Sequence, residues 1–234
     1  MRTGIRIGLT AVGVVVVVLA AGFVYIMRRD ADRVIPGGGV HIEGWTGQID
    51  GRSAAQGRVL NDARFVQEGE AIHVTTGPAT TYWNPANTAT GDYVVKATFL
   101  EPQFMALNSH PHSYGIFIGG HDLGTDRMSL VYCVAYGSGD VLVRGFGPAV
   151  FTLLSSPNAA VHKAAAVGQP VTQEIAWTVK GNRAECAING TVVAGYDKSQ
   201  LVGQGRLQST DGVYGIRFTH NVEAIITGFG MTRN

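Results

Sequence analysis

Three histidines and two aspartates crowd one stretch of the chain, as His110-Pro111-His112 and then His121-Asp122-Leu123-Gly124-Thr125-Asp126. Imidazole nitrogens are zinc ligands, and Asp122 and Asp126 together with loop carbonyls are the oxygen ligands calcium takes. The same five residues, His110, His112, His121, Asp122 and Asp126, are the candidates for acid–base or metal-assisted catalysis, since each moves a proton or holds a cation near neutral pH. Their spacing matches no established metal motif, and Pro111 and Gly124 equally suit a polar loop whose aspartates accept backbone hydrogen bonds. Calcium at Asp122 and Asp126 is the leading cation expectation, zinc the alternative, and nothing else in the sequence calls for a cofactor.

Aromatic and basic residues give a second constellation. Tyr82-Trp83-Asn84-Pro85 falls in a turn-rich stretch where a Trp or Tyr ring can stack on a sugar and the Asn84 amide can bond its hydroxyls. Trp83 leads this set, because Pro85 and Asn87 break a strand around it, whereas Trp45 and Trp177 sit in strand-like contexts and read as core. Lys96, Arg144, Arg217 and His73 fall on the polar sides of expected strands, where they either line one sheet surface for a ligand or are simply solvated. Glu68 and Glu70 are the only close glutamate pair, and the glycine between them reads as a solvated turn rather than a catalytic dyad. Cys133 and Cys186, the only cysteines, either pair across strands or remain buried thiols. Asn189-Gly190-Thr191 fits a glycosylation sequon, although an Asn-Gly turn already accounts for it.

The elements that must position these residues begin with an apolar run at residues 7–27, flanked by Arg2 and Arg6 before it and Arg28 and Arg29 after it. That length suits the roughly 20 residues of a membrane-spanning helix. The reading is a signal-anchor at 1–29, a linker at 30–39 and one domain at 40–234, held outside the cytoplasm. A cleaved signal ending near Val18-Leu19-Ala20 would make the domain secreted instead. With 18 Lys and Arg against 17 Asp and Glu, the chain lacks the basic footprint of a nucleic-acid binder. The 32 glycines show no period of three, which excludes collagen and fits many tight turns.

Strand alternation is clearest where Tyr93, Val95, Ala97 and Phe99 oppose Val94, Lys96 and Thr98, and where Tyr214, Ile216 and Phe218 oppose Val213, Gly215, Arg217 and Thr219. Lys180-Gly181-Asn182, Asn189-Gly190 and Ser138-Gly139 mark hairpin turns, and residues 158–167 form a short helix or an ordered loop. The fold expected is all-β, an antiparallel β-sandwich preceded by one N-terminal transmembrane helix.

The run Trp177-Thr178-Val179-Lys180-Gly181-Asn182-Arg183, then Ile188-Asn189-Gly190-Thr191-Val192-Val193 and Gly212-Val213-Tyr214-Gly215-Ile216-Arg217, resembles the closing half of concanavalin A-like and laminin G-like jelly-roll sandwiches. Gly44-Trp45, the stretch Glu68-Gly69-Glu70-Ala71-Ile72-His73-Val74 and Ser113-Tyr114-Gly115-Ile116-Phe117 make it most similar to the 3-keto-disaccharide hydrolase domain family. An aromatic at position 114 departs from that family's central strand, and the Glu-x-Asp-x-x-Glu strand of the related glucanases is absent. The resemblance implies a fold suited to a saccharide or similar hydroxyl-rich ligand, for which the residue types themselves offer Trp83, Asn84, Tyr82, Arg144, Arg217 and Lys96 as contacts. The alternatives are a glycoside hydrolase using the histidine–aspartate stretch and a cell-surface domain that meets another protein.

Overall fold

The structure, a computed structural model, describes residues 31–233; the apolar run at residues 7–27 lies outside the described residues. Among the described residues no helix is long and apolar enough to cross a membrane. The chain forms β1 (Gly39–Val40), β2 (Thr46–Ile49), the short helix α1 (Gly51–Ala55), β3 (Arg64–Glu68), β4 (Ala71–Thr75) and β5 (Thr80–Ala89). It continues through β6 (Tyr93–Glu101), β7 (Ser113–His121), β8 (Ser129–Tyr136), β9 (Asp140–Phe146) and β10 (Phe151–Pro157). The last elements are β11 (Val171–Lys180), β12 (Arg183–Ile188), β13 (Thr191–Asp197), α2 (Lys198–Leu201), β14 (Gly212–Phe218) and β15 (Glu223–Arg233).

Two sheets result, an eight-stranded one in the order β1-β3-β4-β15-β6-β11-β12-β13 and a seven-stranded one in the order β10-β9-β8-β7-β14-β5-β2. All pairings are antiparallel except that of β1 with β3. The turns that set the register are those the sequence marks. Asn189 and Gly190 take φ of 51° and 79° between β12 and β13, as a primed turn demands, and Gly139 takes 96° between β8 and β9. Residues 158–167 hold turns and bends but no helix.

The inward residues are those the alternation selects. Val95, Ala97, Phe99, Ile175, Trp177 and Val179 from one sheet meet Ile116, Ile118, Val131, Val143, Ile216 and Phe218 from the other, all buried in one cluster. A hydrogen bond and a covalent bond cross this layer. The Trp177 indole N–H donates to the Ile116 carbonyl at 3.2 Å, and Cys133 on β8 is disulfide-bonded to Cys186 on β12, with Cα atoms 6.4 Å apart. The disulfide joins the two sheets, so the alternative of two separate thiols does not hold.

The cross-link closes a loop of 53 residues. By chain entropy alone that contributes about 4 kcal/mol. The Cys133→Ala, Cys186→Ala variant is expected to lose stability on that scale in urea titration, and reductant should lower the wild-type midpoint but not that of the variant.

Candidate functional site

The outer face of the seven-stranded sheet carries Arg144 and Arg217, two of the residues expected to line one sheet surface, and with them Trp83. The register places Thr46, Trp83, Gly215, Phe117, Tyr132, Arg144 and Thr152 side by side across it. The next row is Gln48, Thr81, Arg217, Gly115, Val134, Leu142 and Ser155. Trp83, Phe117, Leu130, Tyr132, Val134 and Leu142 are all buried there in a second apolar cluster. The middle of this sheet is covered on both sides, unlike the half-solvated face that alternation in β14 suggested, while its edge strands β2 and β10 remain partly or fully exposed.

Arg217 is 3 % exposed, and its two terminal nitrogens each stand 2.6 Å from one oxygen of Asp50, a paired contact completed by Thr81 at 3.1 Å. The guanidinium carbon lies 5.5 Å from the Tyr132 ring centre and 5.3 Å from that of Phe146. Strands three apart in a flat sheet stand roughly 14 Å apart, so the side chains of β9 and β14 meet by leaning toward one another over the strands between. Burial opposes the charge on Arg217, and Asp50 more than restores it, raising the guanidinium above its ordinary pKa. Arg217 is therefore committed to the fold. Arg144, half-buried, donates through Nε to Thr152 at 3.0 Å.

The remaining sheet candidates are dispersed. Tyr82-Trp83-Asn84-Pro85 belongs to β5 rather than a turn. The β5–β14 ladder breaks between Trp83 and Thr88, so Pro85 occupies a stretch with no ladder bond to lose. Trp83 is 5 % exposed, beneath the segment 121–128, with Gly124 against its ring. Gln48 pins that segment by accepting from the Gly124 N–H at 3.1 Å and donating to the Thr125 carbonyl at 3.5 Å. Tyr82 points into the intersheet core and stacks on Phe65 at 4.5 Å, while Asn84 accepts from the Ala86 N–H. Lys96 and His73 lie on the outer side of the other sheet, across the sandwich from Arg144 and Arg217, so the four line no common surface. His73 bridges Glu68 at 3.0 Å and Glu223 at 2.7 Å, and its hydrogen bond holds the Glu68 carboxyl below the usual range.

The histidine–aspartate stretch is divided by β7. Its nine residues span roughly 27 Å, which puts His110 and His112 at one end of the sandwich and His121, Asp122 and Asp126 at the other. Residues close in sequence were read as one loop, and the strand between them separates the set. At the second end Asp122 and Asp126 line a groove of about 600 Å³ together with Arg127, Arg206, Leu207 and Gln208. Asp122, at φ 50°, accepts from the Gln208 amide at 2.9 Å. These two are the only carboxylates lining the groove, a small share of the six to eight oxygens calcium takes. At the first end His110 and His112 gather a different third histidine, His220.

A second cleft, of about 400 Å³, is lined by Trp45, Tyr214 and Phe229 with Gln67, Glu70 and Asn87. Phe229 stands 5.6 Å from both the Trp45 and the Tyr214 ring centres, so the three aromatics form one continuous wall. Trp45 and Phe229 are half-buried, and Gly228 at φ 62° carries the chain past the break in the β15–β6 ladder. Glu70 and Glu68 flank the Gly69 turn, at φ 63°, and diverge, one toward this cleft and the other toward His73. The sequence signal for the cleft was the one for Trp45 as core, since a half-buried Trp beside strand residues reads the same way.

No protein-family model and no curated protein matches the chain. Among solved structures, a protein of unknown function with a galectin-like fold from Bacillus subtilis superposes with a TM-score of 0.57 at 10% identity, covering 82% of this chain and 90% of that one. The carbohydrate binding module CBM66 from Bacillus subtilis superposes with a TM-score of 0.53 at 8% identity, covering 82% of this chain and 98% of that one. At such identities the likeness is one of fold: the described domain is a two-sheet β-sandwich like these.

The Arg217–Asp50 contact generates a stability prediction. Asp50→Ala leaves a buried guanidinium without its counter-charge and should cost about 2 kcal/mol or more, tempered because Asp50 is 31 % exposed. Urea unfolding of Asp50→Ala, Arg217→Met and the double variant should show strong coupling, the double variant being less destabilised than the two single losses sum to.

Proposed function

We propose that the chain binds a saccharide or similar hydroxyl-rich ligand in the cleft of Trp45, Tyr214 and Phe229. The observation that carries this reading is the aromatic wall beside Gln67, Glu70 and Asn87. Sugar rings present apolar C–H faces and hydroxyl edges; aromatic rings cover the first, and amides and a carboxylate bond the second. The cavity of about 400 Å³ lies within the range of small-ligand sites. A fold shared with a carbohydrate binding module agrees with the proposal. We place the domain outside the cytoplasm, tethered by residues 7–27, and the Cys133–Cys186 disulfide suits the oxidising surroundings this implies.

A second reading is glycoside hydrolysis of the kind the 3-keto-disaccharide hydrolase resemblance implies. The observation favouring it is that Asp122 and Asp126 line one groove, since hydrolysis by two carboxylates needs an acid and a base or nucleophile on either side of one bond. That groove lacks an aromatic wall, and the cleft supplies one carboxylate, Glu70.

Calorimetric titration with a panel of glycans and keto-disaccharides, with product analysis of the same mixtures, tests both. Binding without turnover is expected. Glu70→Gln, Asn87→Ala and Trp45→Ala should each weaken it tenfold or more, and Lys96→Ala on the outer sheet face should leave it unchanged. Sugar release abolished by Asp122→Asn or Asp126→Asn would establish the hydrolase reading instead.

A further inference from the structure

The register of β7 and β14 continues past the last ladder pair. Phe218 stands opposite Tyr114, and the Thr219 N–H donates to the Ser113 carbonyl at 2.9 Å, so the next pair outward is His220 with His112. Their rings lie 4.0 Å apart, centre to centre, tilted by 30°. Pro111 separates His112 from His110, and the two Nε2 atoms approach to 2.8 Å. One ligand nitrogen from each of His110, His112 and His220 falls within 4.8 Å of the other two. No other group of this kind occurs among the described residues.

The surroundings orient these rings. His112 is 4 % exposed, and its Nδ1–H donates to the His220 carbonyl, so its Nε2 carries the lone pair that faces His110. His220 Nδ1 stands 2.9 Å from Asp32 Oδ1, and Asp32, itself 10 % exposed, accepts from the Ser53 hydroxyl. Asn221, buried and at φ 49°, accepts from the Arg33 N–H at 3.0 Å and so fixes the segment carrying Asp32 against the turn that carries His220. A backbone carbonyl bonded to one imidazole and a carboxylate close beside another are the kinds of outer group found around metal-binding histidines.

We propose that His110, His112 and His220 form a site for one divalent transition-metal ion of the zinc class. Nitrogens around a tetrahedral zinc, bound at about 2.0–2.1 Å, stand roughly 3.3 Å apart, between the closest approach seen here and the widest. His110, the exposed member, adjusts by side-chain rotation. The ion takes the place of the proton held between the Nε2 atoms of His110 and His112, and the exposed His110 carries its proton on Nδ1 instead, so that both rings bind as neutral imidazoles. Three protein ligands leave the fourth position open to water or to an oxygen ligand. All-nitrogen ligation selects against calcium and magnesium, which take oxygen. The site does not depend on the saccharide reading, because none of its residues lines the aromatic cleft.

The test is titration of the untagged full chain with Zn²⁺ by calorimetry, and with Co²⁺ by visible absorption, against Ca²⁺ and Mg²⁺ as controls. One zinc per chain, a tetrahedral cobalt spectrum and no heat from calcium or magnesium are expected. His110→Ala changes an exposed residue, so the fold should hold by circular dichroism while zinc affinity falls at least tenfold and the cobalt spectrum is lost. Asp32→Asn should weaken binding by 10–100-fold with all three ligands in place. No zinc binding, or binding equal to wild type in both His110→Ala and His220→Ala, overturns the proposal; the second result would place zinc on His41, His73, His121 or His162.

Discussion

In the middle of the seven-stranded sheet, β7 and β8 are buried on both sides, against the other sheet on one and beneath a second apolar cluster on the other. The neighbouring β14 is buried in the same way, and a charge carried there needs a counter-charge. Arg217 meets this demand through Asp50 and the flanking rings of Tyr132 and Phe146. Gly215 serves the same packing: a methyl group there would lie 2.5 Å from the Phe117 ring. The segment 121–128, folded over Trp83 and held by Gln48, completes the cover.

That cover decides where a ligand can be met. With the broad face of the sheet closed, open surface lined by chemistry lies where strands end and segments diverge. Among such places in the described domain are the aromatic cleft where β14 and β15 pass Trp45, the groove of Asp122 and Asp126, and the histidine group beyond β7 and β14. The same ladder that buries the middle of β7 brings His112 and His220 into register at its end.

The sheets themselves were legible because inward alternation in β6 and β14 and the turn glycines are local signals; Asn189-Gly190 needs nothing beyond its own φ angles. The outer cover was not legible, since an outward Arg217 reads as solvated whether water or Asp50 receives it. Histidines 110 and 112 were read as candidate ligands, and the histidine the fold sets beside them lies 108 residues beyond His112. Sequence proximity offered His121 instead, and only the β7–β14 pairing reveals His220. Trp45 packs against the core as read, though half-buried, whereas Trp83 was taken for surface because burial of a tryptophan depends on which segment folds over it, a long-range fact.

Amide hydrogen exchange of the chain with and without a saturating saccharide tests the central claim most directly, because it finds the bound surface without assuming which residues form it. Protection concentrated at residues 67–72, 214 and 226–230 is the result the aromatic cleft requires. Protection at residues 122–129 and 202–208, with the cleft unchanged, would contradict it and move ligand binding to the aspartate groove.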